Sequence, residues 1–287
     1  MYSISYYQYS FILPENVDKD IIISILSDYD FEGFVEMDTG FLAYIPSDKD
    51  QPNLWMPEVQ SICSTFKIDK KIIEPKNWNE EWEKNYDVAK INEYCEIYAP
   101  FHTINSNIKY PIFIEPKMSF GTGHHATTFM MINLLFDIQN ELKDKKVIDV
   151  GCGTGILGIV AKKLGASNVW FIDNDPICIE NTKENILKNF PSEQISNITI
   201  LLSDIQQVHQ NYPNEKWDII IANIQKNVIL NDLPYYKDLL LPNAYLLMSG
   251  ILKEYQKEII TAAQPLKHIK TSIKDEWIAL LFQNLNT

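Results

Sequence analysis

Four side chains in the second half of the sequence stand where they can do chemistry. Asp149 lies two residues before Gly151 in Val147-Ile148-Asp149-Val150-Gly151-Cys152-Gly153-Thr154-Gly155, a β-branched run that ends in a glycine-rich turn. Asp173 closes the apolar run Val169-Trp170-Phe171-Ile172. Asp204 comes just after Ile198-Thr199-Ile200-Leu201-Leu202, and Asn223 after Trp217-Asp218-Ile219-Ile220-Ile221-Ala222. An apolar stretch with helical character, residues 156–164, follows the glycine turn at once. Strand, glycine loop and helix together hold nucleoside-bearing ligands: the glycines let backbone approach closely, and the helix N-terminus offers unpaired N–H groups. An acid at the end of the next strand can accept from two ribose hydroxyls. Taken singly, each of these polar residues also suits an ordinary strand-end turn. Four in order, each at the end of a strand-like run, suit one ligand.

A second glycine segment stands upstream, Met118-Ser119-Phe120-Gly121-Thr122-Gly123-His124-His125-Ala126-Thr127-Thr128, ahead of an apolar helix expected over residues 129–138. Gly121 and Thr122 belong to a loop that places N–H groups beside a ligand, and Thr127 and Thr128 can cap the helix or bond that ligand. His124 and His125 are adjacent, so their side chains diverge, and no cysteine or carboxylate cluster accompanies them; no metal site is expected. Gly153, Gly155 and Gly158 satisfy the dinucleotide spacing G-x-G-x-x-G, which makes a nicotinamide enzyme a rival. Asp149 before the loop, Asp204 after the third strand and Ala222-Asn223-Ile224 after the fourth favour S-adenosylmethionine instead. The stretch from Asp149 to Gly155 resembles the first motif of Rossmann-like methyltransferases, a resemblance that implies an acid near the cofactor's methionine end at Asp149 and one near the adenine amino group at Asp204.

These residues need a scaffold, and the chain alternates strand and helix from the glycine loop onward. A helix is expected from Pro176 to Asn189, strands at 198–202 and 217–222, a helix at 228–240, a strand at 244–250, and a helix at 253–264. The last two strands, 269–274 and 277–283, have no helix between them and are expected to pair antiparallel. The fold class is therefore α/β, a mostly parallel seven-stranded sheet with its last strand antiparallel, and a standard nicotinamide domain lacks that hairpin. Ahead of it, residues 2–13, 31–36, 41–45 and 69–74 read as strands, with helices ending near 26 and spanning 54–66. The order β-α-β-β-α-β is the ferredoxin-like α+β arrangement. The expected domains are a recognition domain at 1–75, a linker helix at 76–92 with Trp78, Trp82 and Tyr86 on one face, and a cofactor-binding domain at 93–287, opening on strands at 93–100 and 110–115.

Composition sets the outer bounds. At 287 residues, 46% apolar and 22% charged, the chain is long enough for two globular domains. Its formal charge of −13 argues against nucleic-acid binding and suits a basic protein partner. Cys63, Cys95, Cys152 and Cys178 show no paired spacing, which fits a reducing compartment. Neither a signal peptide nor a membrane-length apolar run is read. A cytoplasmic monomer is expected.

The segment from Phe120 to Thr128, preceded by Pro116, with the Asp149-to-Gly155 loop and Ala222-Asn223-Ile224, resembles the ribosomal protein L11 methyltransferases, the PrmA family. The resemblance implies a Rossmann-like class I methyltransferase domain, S-adenosylmethionine as cofactor, and transfer of methyl groups to the α-amine and lysine side chains of ribosomal protein L11. It carries the family's cofactor positions onto Thr128, Gly151, Asp173 and Asn223. The resemblance to Rossmann-like methyltransferases adds Asp149 and Asp204, and Gly121, Thr122, Gly153 and Gly155 join them from the glycine loops' own placement. Asn223 is also the candidate catalytic residue. Related enzymes that methylate glutamine in release factors carry Asn-Pro-Pro-Tyr at this point, where this chain has Asn-Ile-Gln-Lys. Another protein acceptor, or an inactive cofactor-binding adaptor, are the alternatives.

Overall fold

The computed structural model describes residues 5–14, 17–73, 83, 86–117 and 119–285. The chain divides into two compact units, Met1–Tyr86 and Asp87–Thr287.

In the first unit, β1 (Tyr6–Ile12), α1 (Lys19–Ser27), β2 (Gly33–Met37), β3 (Gly40–Pro46), α2 (Pro52–Ile62) and β4 (Lys67–Ile73) follow one another. The sheet order is β2-β3-β1-β4, and every pairing is antiparallel. Asp18 starts α1 by accepting from Asp20 N–H. Helix α2 opens with Pro52 inside its first turn, which tolerates proline, and gives way at Cys63 to extended backbone. It is thus shorter at its end than the 54–66 expected. Tyr9, Phe11, Phe41 and Ile45 from the strands pack on Ile22 and Leu26 of α1 and Trp55 and Val59 of α2. Trp55 meets Tyr9 edge-on at 5.0 Å.

The second unit opens with a small sheet of β5 (Ala89–Lys90), β6 (Cys95–Tyr98) and β7 (Tyr110–Phe113). Ala89–Lys90 falls at the end of the expected linker helix and is a strand, because it pairs with Ile97 and Glu96 of β6. Trp78, Trp82 and most of that expected helix lie outside the described residues. The main sheet comprises β8 (Lys146–Val150), β9 (Asn168–Asp173), β10 (Ile198–Leu202), β11 (Trp217–Asn223), β12 (Leu240–Leu252), β13 (Lys267–Lys274) and β14 (Trp277–Gln283). Its order is β10-β9-β8-β11-β12-β14-β13. Strands β8 to β12 pair parallel, and β14 runs antiparallel to both β12 and β13.

Helices α3 (Ala126–Asp137), α4 (Ile156–Lys163), α5 (Pro176–Asn189), α6 (Ile205–Asn211), α7 (Lys226–Leu239) and α8 (Gln256–Ala262) cover the sheet. Alternate strand residues serve opposite faces. Val147, Ile219 and Leu247 pack with Met131, Leu134 and Ile159 of α3 and α4. Ile148, Ile220 and Leu246 pack with Val208, Leu233 and Ile259 of α6 to α8. Strand order reverses between β8 and β11, so the carboxyl ends of the parallel strands open a crevice there. Helix α6 is an element the apolar sequence pattern does not announce, and Asp204 caps it. Among the described residues, no helix is long and apolar enough to cross a membrane.

Candidate active site

The glycine loop leaves β8 at Val150. Gly151, Gly153 and Gly155 have φ of +64°, +58° and +79°. A Cβ on Gly153 would sit 2.4 Å from the Phe120 carbonyl oxygen, so a side chain there would displace backbone. The loop is pinned from three sides. Cys152 N–H donates to Ile172 O at 3.0 Å. Gly153 N–H donates to Asp173 Oδ2 at 2.9 Å. Thr182 of α5 donates its hydroxyl to Gly153 O at 2.9 Å.

The segment 119–125 lies against this loop. Thr154 N–H donates to Phe120 O at 3.0 Å, and its hydroxyl donates to Gly121 O at 2.6 Å. His125, not a threonine, caps α3. Its Nδ1 accepts from Thr127 N–H at 3.3 Å and pairs with the Thr127 hydroxyl at 2.8 Å. The helix therefore begins at Ala126, three residues before the start expected from sequence, and Thr127 and Thr128 sit buried in its first turn. His124 turns the other way, its Nε2 2.8 Å from Asp87 O.

Between these parts lies a cavity of about 600 Å³, within the size range of small-ligand sites. Gly151, Gly153, Asp173, Asp204 and Asn223 line it, as the sequence leads one to expect of a shared ligand. Gly121 and Thr122 line an adjoining recess with Phe120 and His125. Gly155 stands instead at the N-cap of α4. Thr128 does not line the cavity, whereas Thr127 does.

The acids divide in their roles. Asp173 Oδ1 accepts from Asp175 N–H at 3.0 Å while Oδ2 holds Gly153, so both oxygens brace backbone and retain lone pairs for a ligand. Asp204 is the N-cap of α6, in a reciprocal capping box with Gln207. Asp149, expected near a cofactor's methionine end, is 1% exposed and absent from the cavity wall. Its carboxylate turns down onto the first turn of α4, accepting from Gly158 N–H at 2.9 Å. Burial pushes its pKa up to about 7; the Asp173 charge adds to the rise and the Gly158 bond opposes it.

Sequence reasoning missed one wall. Phe120, His125 and Trp277 meet edge-on, with ring centroids 5.1 and 5.2 Å apart, at the cavity. Trp277 is the first residue of β14. Because that strand runs antiparallel, it starts where the parallel strands end, so the expected hairpin carried the clue. Asp232 of α7 and Cys178 of α5 also line the cavity and had no sequence signal.

The polar inventory leaves a gap. Asn223 Oδ1 is buried in the cavity wall and finds no hydrogen-bond partner among the described residues. Orphaned buried acceptors are rare in native proteins and mark the place of a ligand or water. A cavity with this acceptor, a glycine loop whose backbone forms the wall without side chains and carboxylates at the ends of β9 and β10 offers acceptors for the hydroxyls and amines of S-adenosylmethionine.

A sheet of this order, with a glycine loop after β8, an acid closing β9 and an amide closing β11, has the form of an α/β methyltransferase. The fold agrees with the crystal structure titled ribosomal protein L11 methylase from Lactobacillus delbrueckii subsp. bulgaricus, at a TM-score of 0.60 and 24% identity, covering 70% of this chain and 100% of that one. Residues 19–285 match the family described as Ribosomal protein L11 methyltransferase (PrmA), and the chain belongs to that family. Its cofactor is S-adenosylmethionine. Curated relatives named Ribosomal protein L11 methyltransferase include one from Phocaeicola vulgatus, 37% identical over 92% of this chain and 93% of its own. Another, from Porphyromonas gingivalis, is 35% identical over 96% and 97%.

Proposed function

We propose that this chain transfers methyl groups from S-adenosylmethionine to the α-amine and lysine side chains of ribosomal protein L11. The observation that carries the reading is Asn223 Oδ1, a buried acceptor in the wall of the glycine-loop cavity that has no partner among the described residues. In this reading unit Asp87–Thr287 is a Rossmann-like class I catalytic domain, and the antiparallel β-α-β-β-α-β unit before it is a ferredoxin-like domain that recognises the protein substrate. The aligned relatives carry that substrate in their names.

When bound, S-adenosylmethionine supplies an electrophilic methyl group on a sulfonium. The chain's residues hold and orient. Gly151 and Gly153 present bare backbone to the cofactor, Asp173 accepts from its ribose hydroxyls, and Asp204 stands at the adenine side. Thr127 lines the cavity from the first turn of α3, and Thr128, whose Oγ1 finds no partner among the described residues, lies behind it and off the cavity wall. Asp149 acts from below by fixing α4. Asn223 orients the cofactor or the incoming amine by accepting from it, and the phenyl, imidazole and indole of Phe120, His125 and Trp277 exclude water around the transferring methyl. The acceptor nitrogen must be neutral to attack. An α-amine with a pKa near ~8 loses its proton more easily than lysine near ~10.4, and the proton leaves to water.

The test is incubation of the protein with methyl-labelled S-adenosylmethionine and unmethylated L11, products being resolved by mass. Wild type is expected to label L11, and Asn223→Ala to lose transfer by at least about a hundredfold, the cost of an orienting contact in an active site. Its melting temperature is expected to stay near that of wild type. Full activity in Asn223→Ala removes its proposed role. Cofactor binding without transfer to L11 in the wild type points to another acceptor.

A further inference from the structure

Helix α5 buries an amide face. Asn181, Asn185 and Asn189 recur every fourth residue and so share one side of the helix, and Asn185 is fully buried. Asparagine is a weak helix former, and a buried amide is costly unless its bonds are made. Asn185 and Asn189 engage both their oxygen and their amide hydrogens, whereas Asn181 Nδ2 finds no partner among the described residues.

Asn189 clamps Phe113 and ties back to its own helix, its Nδ2 also donating to Asn185 O at 2.7 Å. Phe113 N–H donates to its Oδ1 at 2.9 Å, and its Nδ2 donates back to Phe113 O at 2.6 Å. Asn185 is placed differently, as a bridge. Its Oδ1 accepts from Glu115 N–H at 2.9 Å, in the backbone that leads toward the 119–125 segment. Its Nδ2 donates to Thr154 O in the glycine loop at 2.9 Å and to Asn181 Oδ1 at 3.2 Å. Both amide hydrogens and the oxygen are engaged, so the amide has one orientation. Thr154 is the residue whose N–H and hydroxyl hold Phe120 O and Gly121 O. One side chain outside the cavity wall thus joins the approach to the 119–125 segment, the glycine loop and, through Thr154, the segment itself.

We propose that Asn185 is a positioning residue for methyl transfer: through Thr154 it locks the Phe120 and Gly121 backbone against the glycine loop and so sets the width of the cofactor cavity. This rests on the reading of that cavity as the S-adenosylmethionine site. Asn185 touches no ligand; it acts by fixing two walls relative to each other.

The experiment compares Asn185→Ala, Thr154→Val and their double variant with Asn189→Ala, all in the full chain. Hydrogen–deuterium exchange across residues 119–125 is read without cofactor, alongside S-adenosylmethionine binding and steady-state transfer. Asn185→Ala and Thr154→Val are each expected to speed exchange in 119–125 and to weaken cofactor binding about tenfold, the effect of one lost buried hydrogen bond. The KM for the protein substrate stays unchanged. Because the two residues act in series, the double variant does no more than the larger single. Asn189→Ala lowers the melting temperature but leaves exchange at 119–125 and cofactor binding as in wild type. Equal effects of Asn185→Ala and Asn189→Ala on binding, additive effects in the double variant, or unchanged exchange at 119–125 each overturn the proposal. If Asn185→Ala does not fold, Asn185→Asp replaces it, since it keeps the acceptor for Glu115 and removes the donor to Thr154. Failure of wild type to bind S-adenosylmethionine defeats the reading of the cavity, while the exchange comparison still judges the link between Asn185 and the segment.

Discussion

Asp149 serves the site without facing it, and its titration is the measurable trace of that service. The carboxyl is walled in beneath the glycine loop and holds the first turn of α4 through Gly158. Burial is the main reason that its pKa rises from 3.8 to about 7. The folded state thus binds this proton more tightly than the unfolded chain. Its contribution to stability is complete below about pH 4 and is lost as the pH rises through 7. Asp149→Asn keeps an acceptor for Gly158 N–H and cannot ionise. Any cost of its new amide donors is the same at every pH. The melting temperature of the variant relative to wild type is therefore expected to climb between pH 5 and pH 8. A shift of this size corresponds to a few kcal/mol, roughly several degrees. Thermal melts of the two ligand-free proteins across that range check it, and a difference that stays flat with pH rules out a raised Asp149.

Helix α6 joins residue chemistry to element chemistry. Asp204 was singled out as a ligand acid, and the structure gives it a second task as the N-cap of this helix. Its Oδ1 accepts from Gln207 N–H at 2.8 Å while Gln207 Oε1 accepts from Asp204 N–H at 3.4 Å. The two tasks separate by substitution. Asp204→Ala is expected to cost about 1 kcal/mol of stability, the usual worth of a cap, whereas Asp204→Asn keeps the cap and holds the melting temperature. If the carboxylate also accepts from the cofactor, both variants weaken S-adenosylmethionine binding; calorimetry on each, beside its melt, separates cap from ligand. The same residue marks what the sequence made legible. Strand-ending polar residues identified the crevice because continuous apolar runs, the mark of strands buried on both faces, end where each strand stops. Helix α6, at seven residues, was too short for an apolar period to register, although the Asp-x-x-Gln spacing of a capping box was there to be read. The cap of α3 was misplaced because threonines are common caps and histidine is not, while His125 Nδ1 in fact takes the Thr127 N–H. Trp277 and Asn185 were invisible for another reason: their importance comes from what the tertiary fold sets beside them, with no local pattern to announce it.

At the scale of the whole molecule, charge and substrate have to be considered together. A chain with a formal charge of −13 carries a net negative potential that attracts cations from a distance. Among the described residues lysines pair with carboxylates, as Lys117 does with Glu184 and Lys270 with Asp137; each pair neutralises one acid, and the excess of acid remains. A lysine-rich protein substrate would be steered by that field, and salt would screen it, since the Debye length is only about 8 Å at physiological ionic strength. S-adenosylmethionine is small and enters a cavity whose contacts are short-ranged. The two substrates should therefore part company with salt. Between about 50 and 300 mM salt, the KM for L11 is expected to rise severalfold while the dissociation constant of S-adenosylmethionine changes less than twofold, and kcat stays nearly constant. Parallel steady-state and binding titrations measure both. A KM for L11 that does not move with salt means that the acidic surface only keeps the protein soluble, and that recognition of the substrate rests on short-range contacts alone.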